Sequence, residues 1–296
     1  MKTHKLVLLS ALFALTTGVS GQDYAFKVLA NKGTNEIKSG GAWTPLKTGA
    51  SLKSGDEVKL GDNAYIGLVH SSGKPVEVKE SGIHPVSELE TRVKGGSSVL
   101  NKYTDFILSS NSAESKKNRL AATGAVHRDV TNAPIRLLLP ENEHAGMFNQ
   151  QAIIKWDGSK VAGPYVITLR NMFEDVLLKE ETSENSYEIN LAHEKFANEN
   201  AILVEISSKA DPKQVSKQRL IKKLSPAEIE KISAALKEVK SDLGEESAVN
   251  KVFLAGFYEN HNLLIDAMYA YEQALKLEPE AYTESYAEFL ARNNLK

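Results

Sequence analysis

The sequence predicts a mixed multidomain chain: an all-β N-terminal domain, an all-β sandwich and an all-α C-terminal helical module. Three observations carry that expectation. From about Asp23 to Val93, short β-like runs are cut by Gly, Asn and Asp, the pattern of a compact all-β unit. Seven further strand-like runs lie between Ile135 and about Lys223. Beyond Leu224 the apolar period changes from 2 to 3.6 and stays helical to the end of the chain.

The chain has 296 residues, more than one average domain. Hydrophobic residues make up 42% and charged residues 25%, which excludes wholesale disorder and a multi-span membrane protein. Lys and Arg number 36 against 38 Asp and Glu, so the basic footprint of a nucleic-acid binder is missing. Cysteine is absent, which removes disulfides, thiolate nucleophiles and Cys-zinc sites from consideration.

Residues 1–21 have the layout of a secretory signal peptide. Lys2 and Lys5 precede an apolar run over 6–15, and the small residues Val19-Ser20-Gly21 place cleavage after Gly21. That run is too short to span a bilayer, and no later window approaches 18 apolar residues. Losing the two lysines takes the net charge from −2 to −4. Export is therefore expected, with the mature chain periplasmic, extracellular or on the cell surface.

Residues 22–94 form the first expected domain. Its strand text includes Ala42-Trp43-Thr44-Pro45-Leu46, Glu57-Val58-Lys59-Leu60, the run Ala64 to His70, and Val76-Glu77-Val78. Turns fall at Ser54-Gly55-Asp56, Gly61-Asp62-Asn63 and Ser71-Ser72-Gly73-Lys74. Trp43, Leu46, Gly49, Leu52, Gly55, Asp56, Val58, Gly61, Ala64, Ile66, Leu68, Gly73, Val76 and Val78 together resemble the FecR-like β domain of bacterial envelope proteins. The resemblance implies an envelope protein of a Gram-negative-type bacterium. The transmembrane and anti-sigma segments of that family's regulators have no counterpart here, so their signalling role does not carry over.

Residues 95–132 are expected to be a helical and linker segment. Val99, Leu100, Tyr103, Phe106 and Ile107 recur at three-to-four spacing and predict a short amphipathic helix. The polar stretch 109–117 reads as a linker or solvated helix end, and 121–126 as a loop.

Residues 133–223 hold the seven strands, at 135–139, 152–156, 165–169, 176–179, 187–191, 201–206 and 219–221. Seven short strands over such a length are similar to an immunoglobulin-like or fibronectin III-like sandwich. Trp156 and Tyr165 are its expected buried aromatic anchors.

Residues 224–296 are the helical module. Ser225-Pro226-Ala227-Glu228 is a capping box with proline at the first helical position, and Ile229, Ile232, Leu236 and Val239 supply an apolar stripe. A second helix runs through Val252 to Tyr258, a third carries Leu264 to Ala274 and stops at Pro279, and a last one spans 282–290. Leu254, Ala255, Tyr258, Ala267, Tyr271, Ala274 and Pro279 resemble one tetratricopeptide repeat, although Lys251 replaces the aromatic expected near its start. A peptide-binding superhelix needs about three such repeats. A single one is a helical pair that docks onto a neighbouring domain or a partner. The resemblance places Tyr258, Glu259 and Asn260 near its partner-facing side.

Searches for chemistry end in near misses. His193-Glu194 opens like a zinc-protease helix, but Ala197 stands where the second imidazole is needed. His70, His84, His127, His144 and His261 are not at ligand spacing. Gly67 to Lys74 lacks the second glycine and the Ser/Thr of a phosphate loop. Ser71-Ser72-Gly73-Lys74 and Lys47-Thr48-Gly49 occur in the wrong order and setting for a penicillin-recognising serine enzyme, and no G-x-S-x-G elbow exists. Paired acids such as Glu141/Glu143 and Glu245/Glu246 lie in charged runs. The expectation is a non-enzymatic interaction scaffold with no cofactor and no metal ion, docking a protein partner. A carbohydrate- or peptidoglycan-binding role for the β modules is the alternative, and it requires an exposed aromatic row involving Trp43 or Tyr65.

Overall fold

The computed structural model describes residues 24–93, 95, 98–110 and 133–295. The signal-peptide expectation, His127, the loop at 121–126 and all but the start of the polar stretch at 109–117 lie outside them. Within them the chain is a mixed multidomain protein, β-rich over its first two thirds and helical thereafter.

The N-terminal unit is built of β1 (Phe26–Lys32), β2 (Asn35–Lys38), β3 (Thr44–Pro45), β4 (Ser51–Leu52), β5 (Glu57–Leu60), β6 (Tyr65–His70), β7 (Pro75–Val78) and β8 (Gly82–Pro85). They form two four-stranded antiparallel sheets, ordered β4-β1-β6-β7 and β3-β2-β5-β8. The short helix α1 (Val86–Thr91) closes the unit through Val86 and Leu89.

β6 shows why its sequence is apolar without alternation. Tyr65 to Val69 are all buried, and a strand sends successive side chains to opposite faces. Ile66 and Leu68 fill the unit's own core beside Phe26, Val58 and Val78. Tyr65 and Val69 face the other way, into a second core shared with the helices and the sandwich. Gly67 lies on that second face. A Cβ there would sit 2.4 Å from the Tyr282 hydroxyl, so only glycine admits the C-terminal segment this closely. β1 is divided in the same way, with Val28 in the first core and Leu29 and Ala30 in the second, across a register shift between Val28 and Ala30.

The helix expected from Val99 to Ile107 is α2 (Ser98–Ser110), and Leu100, Tyr103 and Ile107 form its buried stripe.

The sandwich comprises β9 (Arg136–Leu137), β10 (Gly146–Met147), β11 (Gln151–Asp157), β12 (Tyr165–Arg170), β13 (Val176–Thr182), β14 (Ser186–Asn190), β15 (Ala201–Ser208) and β16 (Arg219–Lys223). All seven expected strands are present, and β10 is an additional two-residue strand paired in parallel with β16. One sheet has the order β14-β11-β9 and the other β10-β16-β15-β12-β13. β15 alternates between partly exposed and buried residues along its whole length, as one-sided burial requires. Trp156 and Tyr165 are both 3% exposed. Their rings meet edge-to-face at 5.3 Å between centroids, one of the favoured arrangements of aromatic quadrupoles.

Four helices complete the chain: α3 (Pro226–Leu243), α4 (Ala248–Asn260), α5 (Leu264–Leu277) and α6 (Thr283–Arg292). The capping box forms as expected. Ser225 accepts from the Glu228 amide, while the Glu228 carboxylate accepts from the Ser225 amide at 2.8 Å. Of the expected stripe on α3, Ile232, Leu236 and Val239 are buried, but Ile229 is 40% exposed because the first turn of α3 stands clear of its neighbours. α4 and α5 pack together as a hairpin, and Ala255, Ala267, Ala270 and Ala274 on them are buried. Gly256 lets α2 cross α4, since a Cβ there would approach Ile107 to 2.8 Å.

Candidate functional site

The helical hairpin packs against the sandwich, and the contact centres on one carboxylate. Asp266 lies in the first turn of α5 and is 1% exposed. It accepts hydrogen bonds from the backbone amides of Phe148 at 2.8 Å and Asn149 at 2.7 Å, and from the Asn149 side chain at 2.7 Å. Burial pushes its carboxyl up to about 6, while these hydrogen bonds pull the other way. Along the same contact Lys155 pairs with Glu272 at 2.5 Å, the Tyr269 hydroxyl donates to Gln151 at 2.9 Å, and Lys276 pairs with Glu188. The hairpin thus grips a short segment of its own chain in the turn between β10 and β11.

Beside that gripped segment lies an open cleft of about 460 Å³. Lys251, Leu254 and Tyr258 on one face of α4 and Asp266, Tyr269, Ala270 and Gln273 on one face of α5 form its floor. Residues 148–151 and Asn190 form the sandwich wall, and Lys240 at the end of α3 stands on the rim. The volume falls within the usual range for small-ligand and short-segment sites. Its polar lining consists largely of carboxamides, which donate and accept hydrogen bonds as a peptide backbone does.

The three residues singled out from the repeat pattern point in different directions, as successive helical positions must at about 100° each. Tyr258 is 4% exposed and belongs to the cleft floor, with its ring 6.3 Å from that of Phe148. Burial pushes its hydroxyl up to about 12. Glu259 is 7% exposed and faces inward: Arg292 donates to both its oxygens at 2.6 Å, and Asn293 donates at 2.8 Å. Its charge holds α6 in place. Asn260, the last residue of α4, is half-buried. The sequence reading missed Asp266 and the amide run Asn149-Gln150-Gln151. Both left a signal, a lone acid inside the apolar text Leu263 to Met268 and three consecutive carboxamides before a strand.

Other polar clusters brace turns and caps. His70 Nδ1 lies 2.8 Å from the Ser72 hydroxyl, and Glu90 lies 4.0 Å from Nε2. The same Nδ1 also accepts from the Ser72 amide at 3.1 Å, so its lone pair serves the β6–β7 turn. Burial lowers the His70 pKa, and Glu90 opposes the shift. His193 caps a single 3₁₀ turn, Glu194–Phe196, by accepting from the Lys195 amide. No cluster of three or more His, Asp or Glu side chains suited to a metal ion occurs among the described residues. Tyr65 is 1% exposed, donating to Glu77 at 2.8 Å and meeting the Tyr282 hydroxyl at 2.7 Å. Trp43 is partly exposed, with the Lys38 and Lys59 ammonium groups 5.7 Å and 5.8 Å from its ring. The large exposed apolar residues among those described include a single aromatic, Phe173. No helix among the described residues is long and apolar enough to cross a membrane.

Neither a scan against protein-family models nor a search of curated proteins returns a match to this chain.

Proposed function

We propose that the chain is an exported, non-enzymatic interaction scaffold of the bacterial cell envelope, receiving a segment of a protein partner in the cleft between the helical hairpin and the sandwich. One observation carries the reading. The hairpin already holds a turn segment of this chain by its backbone amides, through Asp266, and leaves an open, carboxamide-lined cleft beside it.

The module assignments support it from two sides. The seven sandwich strands divide as first, second and fifth on one sheet, with third, fourth, sixth and seventh on the other. That division accords with the immunoglobulin-like or fibronectin III-like reading, a fold widely used for display and docking. The small residues between α4 and α5 accord with a single tetratricopeptide-like pair docked on a neighbour. The FecR-like text of residues 40–93 and the signal-peptide layout of residues 1–21 support placement in the envelope, periplasmic or at the cell surface.

The test is capture from the native envelope. The tagged mature chain is crosslinked in place, purified and analysed by mass spectrometry, alongside a Leu254→Arg variant whose fold is checked by circular dichroism. Leu254 is half-buried on the cleft floor, so arginine there fills the opening without entering the core. A reproducible protein partner that is lost with Leu254→Arg supports the scaffold. Recovery of glycan fragments with no protein, or a partner indifferent to the substitution, overturns it.

A further inference from the structure

Resting on that reading, we propose that the cleft selects an extended acidic peptide segment, with a carboxylate of the segment held by Lys240 and Lys251. The whole chain carries a net charge of −2. The cleft lining inverts that sign, because its charged members are Lys240, Lys251 and Asp266. Asp266 is spent: it is 1% exposed and its oxygens are engaged by three donors from Phe148 and Asn149. Its single charge is stabilised by those donors and outnumbered by the two lysines. Lys251 is paired with Glu246, whose side chain is 69% exposed and outside the lining, so a ligand carboxylate can take over that contact. Lys240 is exposed and makes no ion pair with the described residues.

The remaining lining favours a peptide over a free small anion. Gln150 on the sandwich wall and Gln273 on the floor have carboxamides with no hydrogen-bond partner among the described residues. Such groups can pair with both the N–H and the C=O of an extended backbone. Leu254 and Ala270 give the floor an apolar strip for the stem of a glutamate or a neighbouring aliphatic side chain. The lysines supply sign selection and orientation, and the carboxamides supply register.

Fluorescence anisotropy on the mature chain tests this with three labelled peptides of alternating sequence: Glu-Gly, Gln-Gly and Lys-Gly. The expected order is Glu-Gly tightest, at least about tenfold over Gln-Gly, the equivalent of ~1.4 kcal/mol. Lys-Gly should be weakest. Lys240→Glu, on an exposed position that cannot disturb the core, should remove most of the Glu-Gly preference, and Lys251→Glu should do the same. Equal affinity for Glu-Gly and Gln-Gly overturns the acidic selection. So does a Glu-Gly preference that survives both substitutions. If neither peptide binds, or both bind alike, while the envelope partner is still lost with Leu254→Arg, the acidic-segment proposal fails and the scaffold reading stands. If the partner also ignores Leu254→Arg, both fail.

Discussion

Replacing Asp266 by asparagine offers a quantitative test of how the helical hairpin holds the sandwich. The folded carboxyl titrates near 6 against an ordinary value of 3.8, mainly because burial disfavours its charge. The folded state therefore binds more protons than the unfolded state between these two values, and stability falls as pH rises through that window. Below 3.8 both states are protonated and the group contributes no pH dependence. Above about 6 both are ionised and the loss is complete. The displacement corresponds to ~3 kcal/mol at ~1.4 kcal/mol for each tenfold change. Asp266→Asn puts an uncharged carboxamide at this position, so this component should vanish. At pH 7 the variant escapes the desolvation penalty but loses charge-assisted acceptance from two backbone amides and the Asn149 side chain, at about 1.5–3 kcal/mol each before compensation by water. Urea melts of both proteins at pH 4, 5, 6 and 7 would read this directly. The wild type should lose ~2.4 kcal/mol more than Asp266→Asn across the series, because its unfolded carboxyl is already more than half ionised at pH 4. Parallel profiles would refute the raised carboxyl. A variant more stable than wild type by ~3 kcal/mol at pH 7 would show that the three donors contribute nothing to docking.

Other perturbations have equally definite outcomes. Gly67→Ala should destabilise by about 1–3 kcal/mol through the 2.4 Å clash with the Tyr282 hydroxyl, and adding Tyr282→Phe should return part of it in a thermal-melt double-mutant cycle. Arg292→Met strands the buried Glu259 carboxylate and should cost about 3–5 kcal/mol, with early hydrogen exchange in α6; the double variant with Glu259→Leu should recover most of the loss. Ser225→Ala removes the capping box of α3 and should cost about 1 kcal/mol, measured by chemical denaturation.

Local pattern made much of this architecture legible. The seven sandwich strands follow from alternation and turn residues, α3 begins at its capping box, and α2 follows from five apolar positions at helical spacing. What stayed hidden depends on contacts between distant parts of the chain. Asp266 meets Phe148 across 118 positions, and no local period records that a lone acid in an apolar helix is matched by amides in a turn elsewhere. Glu259, expected near a partner-facing side, has its counter-charge within the chain, in Arg292 33 positions on. Ile229 kept helical spacing yet stayed exposed, because spacing defines a stripe while tertiary packing decides how much of it is covered. The cleft itself was visible only as scattered carboxamides, since it is walled by two modules whose approach the sequence does not encode locally.

The double duty of β6 determines how the molecule can be cut. A fragment ending at Val93 would keep Ile66 and Leu68 sheltered, but Tyr65, Val69, Leu29 and Ala30 would be turned to water as an adhesive apolar face. The N-terminal unit is therefore not an interchangeable bead that can be expressed, swapped or proteolytically released on its own. Its melting should be inseparable from that of the helices, because β6 fills both cores at once.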